Sequence, residues 1–89
     1  MQSKNKRKPN AAEAAHIERI KLMPCCVCNA PGPSDCHELR QGDWFTCLPL
    51  CKDCHQGAHN GIHGRQAIWK VKKLDELSAL NQVVEGLVS

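Results

Sequence analysis

The sequence predicts a small α+β domain in which N- and C-terminal helices flank a centre of short strands. Three observations point there. The chain has 89 residues, 42% of them hydrophobic but only 3% aromatic, so its apolar core must be thin. Helical periodicity marks both ends, while the middle is broken by Pro31-Gly32-Pro33-Ser34 and Arg40-Gln41-Gly42-Asp43, which leave space only for brief strands. That middle also carries two Cys-X-X-Cys pairs, Cys25/Cys28 and Cys51/Cys54, the kind of staple a domain this small needs.

Residues 1–9 read as a flexible basic arm and residues 10–89 as one domain. Lys4, Lys6, Arg7 and Lys8 precede Pro9; such a cluster attracts phosphate backbones without reading sequence, or else serves as a solubilising tail. Asn10 stands three residues before Glu13, the capping-box spacing, and opens a helix over residues 11–22 that Pro24 ends. Ile17 and Ile20 share its inner face, and His16 is a surface or packing residue. The first Cys pair then sits in a knuckle. A short strand begins near Asp35 and carries His37, and residues 44–50 have strand composition, with Pro49 confining that strand to an edge or an end. From Lys52 a short helix is expected to carry both His55 and His59, weakened by Gly57, Gly61 and Gly64. Ile68, Trp69, Leu74, Leu77, Leu80, Val84 and Leu87 recur at helical spacing as a packing face, with self-association as its alternative use, and Asp75 and Glu76 favour the start of the last helix.

Between the two Cys pairs lie 22 residues, close to the spacing of a four-cysteine zinc site. Four thiolates leave no open position, so this zinc is structural. Cys26 is separated from Cys28 by one residue and is read as a buried or second-sphere thiol, and Cys47 as an inward-facing strand residue. A redox Cys-X-X-Cys lacks its usual βαβ setting, and an odd total of seven cysteines argues against a disulfide framework. Metal storage is disfavoured because glycine turns and helices separate the thiols.

The histidines carry a second function. His55 and His59 at i and i+4 would share one helical face, and Cys36-His37 is held near them by the loop that the structural zinc closes. Adjacent strand residues face opposite ways, so one of Cys36 and His37 can meet metal while the other meets water. Taken with Leu48-Pro49-Leu50-Cys51-Lys52-Asp53-Cys54-His55-Gln56-Gly57 and Gly61-Ile62-His63-Gly64, Cys36-His37-Glu38 makes the chain resemble the HNH, or ββα-metal, endonucleases. It is most similar to phage and prophage recombination-associated nucleases with a four-cysteine knuckle, over roughly residues 17–85.

That resemblance implies a ββα-metal core and a DNA endonuclease or nickase in which His37 is the general base. It implies one catalytic divalent cation, zinc, magnesium or manganese, with Cys36, His55, His59 and His63 as its candidate ligands. Two departures stand out: Cys36 occupies a position commonly His or Asp, for which Asp35 is a possible substitute, and the middle Asn falls at Thr46. Candidate nucleic-acid contacts are Lys4, Lys6, Arg7, Lys8, Arg40 and Arg65. DNA is the expected partner, with a recombinase or other recombination protein as a further candidate. The polar, basic start and the lack of a long apolar run lead to the expectation of a cytoplasmic chain with no membrane partner. The rival reading is a non-catalytic, zinc-stabilised nucleic-acid-binding or recombination accessory module.

Overall fold

The structure is a computed structural model that describes residues 7–88. Its elements run α1 (Ala11–Lys21), β1 (Asp35–Glu38), β2 (Cys47–Leu50), α2 (Lys52–Gln56), α3 (Ala67–Val71) and α4 (Glu76–Val88), a small α+β arrangement. The strands pair antiparallel in the register Asp35 to Leu50, Cys36 to Pro49, His37 to Leu48 and Glu38 to Cys47. Every residue of β2 is buried, because α1 and α4 both pack on this short hairpin. No helix among the described residues is long and apolar enough to cross a membrane.

α1 begins as its capping residues require. The Asn10 side chain accepts from the Glu13 backbone N–H at 2.8 Å, and Glu13 Oε1 accepts from Asn10 N at 2.9 Å. Glu13 has a second task. Arg7 donates to both its carboxylate oxygens, at 2.8 and 2.7 Å, and to the Gly42 carbonyl at 3.1 Å. Arg7 is therefore tied to α1 and to the hairpin loop, not free in an arm; Lys8 is exposed, and Lys4 and Lys6 lie outside the described residues. The inner face of α1 ends in fully buried Ile20, and His16 stacks at a tilt on Phe45 with centroids 5.2 Å apart.

β2 is shorter than the composition of residues 44–50 suggests. Thr46 N donates to Asp43 O at 3.1 Å, so residues 43–46 close the hairpin as a turn before pairing starts at Cys47. Pro49 can sit in the ladder because the sheet has only two strands and its missing N–H faces away from β1.

The C-terminal packing face also needs correcting. Trp69 is buried on α3, and its Nε1 donates to Cys54 O at 3.1 Å, pinning α3 to the second Cys pair. On α4 the buried positions are Ala79 and Val83, with Leu80 and Leu87 packed beside them, whereas Leu77 and Val84 are 71% and 44% exposed. A small Ala79 lets the helix axis approach the hairpin, which rotates Leu77 and Val84 to the outer side. Asp75 caps this helix, accepting from Ser78 N at 2.8 Å.

The Arg7 contacts, with the Asn10 amide, lower the Glu13 pKa from its ordinary 4.5 to about 2. A depressed carboxylate pKa stabilises the fold above the unfolded value, and that contribution fades as pH falls from 4.5 toward 2. The difference in thermal midpoint between the parent chain and Glu13→Gln should be constant from pH 5 to 8 and shrink only below about pH 4.5, as read by a pH series of melting curves.

Candidate functional site

Two groups of donor atoms converge among the described residues. The first is sulfur. Cys25, Cys28, Cys51 and Cys54 bring their Sγ atoms within 4.8 Å of one another, a set that could hold a metal ion. Cys28 Sγ and Cys51 Sγ are 3.6 Å apart. Tetrahedral zinc with bonds of about 2.3 Å would separate its sulfurs by roughly 3.8 Å, so the cluster fits such an ion without backbone movement.

Both turns are built to present thiolates. In the first, Asn29 takes the left-handed conformation (φ 65°), which Asn tolerates, and donates its N–H to Cys25 O at 2.9 Å. In the second, Cys51 is the N-cap of α2 and accepts from Cys54 N at 3.4 Å. Burial opposes ionisation of Cys25, yet hydrogen bonds to its sulfur, one of them from Val27 N at 3.4 Å, outweigh it and bring the pKa from 9.0 down to about 7. Cys26 stands outside the group. Burial pushes its thiol up to about 12, and its N–H donates to Pro49 O, so it joins the first turn to β2. Cys47 faces inward, its Sγ 3.2 Å from Trp44 O.

The second group is nitrogen. His37 from β1, His55 from α2 and His63 from the following loop form a triangle of rings with centroids 5.0 to 5.1 Å apart, their donor atoms all within 4.8 Å. A cavity of about 400 Å³ opens over them, lined also by Glu38, Gln41 and Glu76. Burial and the neighbouring His37 and His55 lower the His63 pKa, favouring the neutral imidazole that a metal requires.

His59 is absent from this group. The helix that should have carried His55 and His59 on one face stops at Gln56, because Gly57 turns extended (ψ 139°). The chain then folds back tightly: Ile62 N donates to Cys54 O at 2.8 Å and His63 N to His55 O at 3.2 Å. His63, not His59, returns to His55. The exposed His59 instead lines a separate recess of about 220 Å³ with Ala58 and Arg65. Cys36 is not a member either. It lines the cavity, but its thiol hydrogen-bonds to Cys47.

Carboxylates secure two of the rings. Asp35 Oδ2 lies 3.0 Å from His55 Nδ1, and Oδ1 accepts from Lys52 Nζ at 2.8 Å. The bonds from Lys52 and His55 hold the Asp35 pKa below 3.8, so it is an ionised acceptor and His55 Nδ1 must carry the proton. That leaves His55 Nε2 as the bare nitrogen, the arrangement in which a carboxylate orients a metal-binding histidine. Asp35 thus acts behind His55 instead of replacing Cys36 as a ligand. Glu76 Oε2, from the first turn of α4, sits 2.6 Å from His37 Nε2.

Sequence reasoning missed Glu76, which it assigned only to a helix start, since no spacing rule links residues 39 apart. His63 was a candidate only through the Gly61-Ile62-His63-Gly64 segment of the resemblance, and its glycines are what bring it back to His55. A Cβ on Gly61 would lie 2.5 Å from Gly57 O, and one on Gly64 would lie 2.5 Å from the same oxygen, so the fold-back admits only glycine there. Thr46, at the expected Asn position, donates its hydroxyl to Asp43 O at 3.1 Å and serves the hairpin turn. Arg40 is 85% exposed and 3.9 Å from Asp43.

Comparison of the chain with protein-family models, curated proteins and solved structures finds no match.

Cys54→Ser, which removes one of the four sulfurs that could hold a metal, should abolish the folded state, because a zinc ion bound there would contribute about 10–16 kcal/mol of apparent free energy and a domain this size has little else to offset its loss. Circular dichroism and metal content of the purified variant check this. Gly61→Ala should destabilise by about 1–3 kcal/mol through overpacking against Gly57 O, measured by urea unfolding.

Proposed function

We propose that this chain is a metal-dependent endonuclease or nickase of the HNH (ββα-metal) type, hydrolysing DNA phosphodiesters beside a structural zinc. One observation carries the reading: a hairpin histidine, His37, meets His55 of the following helix and His63 of its loop at the edge of an open cavity. The order strand, strand, helix along the chain supports the reading. The four-cysteine group, joined to it through consecutive Cys54 and His55, supplies the rigid base such a site needs.

His55 and His63 would hold the divalent cation, His55 offering Nε2 because Asp35 takes its Nδ1–H. When bound, the cation supplies Lewis-acid stabilisation of negative charge at the phosphate and the departing oxygen. His37 is the general base. Its ring takes a proton from the attacking water, so that a water O–H bond breaks and an imidazole N–H forms. The hydroxide oxygen bonds phosphorus as the bond to the 3′ oxygen breaks, and that oxygen is protonated from solvent. Asp35 keeps His55 in the correct tautomer throughout.

Charge supports nucleic acid as substrate. The formal net charge is +3, and Lys8, Arg40 and Arg65 are exposed, able to attract phosphate without sequence preference. A recombination protein as partner belongs to the same proposal.

Supercoiled plasmid relaxation across magnesium, manganese and zinc tests the reading. His37→Ala, His55→Ala and His63→Ala should each lose at least about 100-fold in rate while keeping the fold, and His59→Ala should stay within about twofold of the parent because it lies outside the triad. A zinc-loaded parent chain that binds DNA but nicks nothing with any cation would favour the accessory-module alternative.

A further inference from the structure

Glu76 is a cavity-lining carboxylate whose contact with His37 joins residues 39 positions apart. We propose that it is the positioning residue for His37, fixing that ring in the Nε2–H tautomer so that Nδ1 is the nitrogen presented to water. The proposal rests on the reading of His37 as base and adds which nitrogen acts and what holds it.

The geometry argues for this directly. Glu76 Oε2 is 2.6 Å from His37 Nε2, a charge-assisted distance. A carboxylate has no proton to give, so Nε2 must donate and Nδ1 must be bare. A nitrogen engaged this way cannot also bind a cation, which separates His37 from His55 and His63 in role. The His37 side chain is 9% exposed, so few positions other than the one Glu76 dictates are open to it. Glu76 is half-buried, with 39% of its side chain exposed, and lines the same cavity. It is the first residue of α4, whose own packing on β2 fixes where the carboxylate stands.

The pairing mirrors Asp35 on His55 with the ring nitrogens exchanged. Asp35 takes Nδ1 and leaves Nε2; Glu76 takes Nε2 and leaves Nδ1. Two identical side chains are thereby set to different tasks by which nitrogen a carboxylate occupies. After proton transfer His37 is an imidazolium with both nitrogens protonated, and Glu76, already in contact, stabilises that charge with no rearrangement.

The test uses the full chain, zinc-loaded and labelled with nitrogen-15, and reads the histidine tautomers by long-range proton–nitrogen correlation at neutral pH. His37 should be the Nε2–H tautomer in the parent and a mixture in Glu76→Ala, while His55 remains Nδ1–H in both. Plasmid relaxation should show kcat lowered about 10- to 100-fold in Glu76→Ala with KM within about twofold, and Glu76→Asp should recover part of the loss. Glu76→Gln, close to the same size, checks that the effect does not come from disturbing the start of α4. A parent His37 found as Nδ1–H, or a Glu76→Ala chain with unchanged tautomer and unchanged kcat, overturns the proposal. A parent chain that nicks nothing removes the nuclease reading alone, and the tautomer still decides whether Glu76 holds the ring.

Discussion

Four sulfur atoms from two turns set 22 residues apart meet within 4.8 Å, and this closure is the constraint on which the rest of the molecule depends. Such packing of thiols gains only weak S–H···S hydrogen bonds, and the sulfurs repel once two of them ionise. It makes physical sense as a ligand shell. The closed loop contains the whole β1–β2 hairpin, so the hairpin needs no large core of its own. A two-stranded sheet is marginal in water. Here it is clamped at one end by the sulfur group and covered by α1 and α4.

The same closure sets the distance between the histidines. Cys54 is buried in the sulfur group and His55 follows it directly, so the position of His55 is inherited from the clamp. Cys54 O then receives two donors, Ile62 N and Trp69 Nε1, which seat the glycine loop and α3 on that one carbonyl. His63 is the neighbour of Ile62 and so arrives beside His55. Burying an indole of roughly 150–250 Å² is worth at most about 4–6 kcal/mol. That helps hold α3, but it falls short of what metal coordination by the four sulfurs would offer.

What could be read from the sequence follows the range of the interactions. Local chemistry was legible: the Asn10–Glu13 capping box, the two Cys turns and the β1 strand carrying His37 all follow from residues within a few positions of one another. The choice of Cys25 over Cys26 was also legible, because Cys26 lies only one residue from Cys28 and the two point in different directions from an extended turn. The i, i+4 pairing of His55 with His59 failed for a local reason that competed with periodicity. Gly57 ends the helix after a single turn and a half, and three close glycines let the backbone turn back on itself. Helical spacing among Leu77, Leu80 and Val84 likewise could not say which stripe faces inward; the small Ala79 decides it. Glu76 was out of reach altogether, since its meeting with His37 is created by α4 docking on β2.

An imidazole pair with opposite tautomers is also an economical way to build an acid–base site from few residues. In a chain with one phenylalanine and two tryptophans there is little apolar wall to tune a histidine by desolvation. Specific hydrogen bonds must do that work instead. Asp35 does this for His55 from the strand that also bears His37, so the two residues are neighbours but one on the same β1. Glu76 reaches in from the opposite end of the chain. The hairpin alone thus defines half of the site, and the docking of the last helix completes the other half, which ties the chemistry of the centre to the integrity of the whole fold.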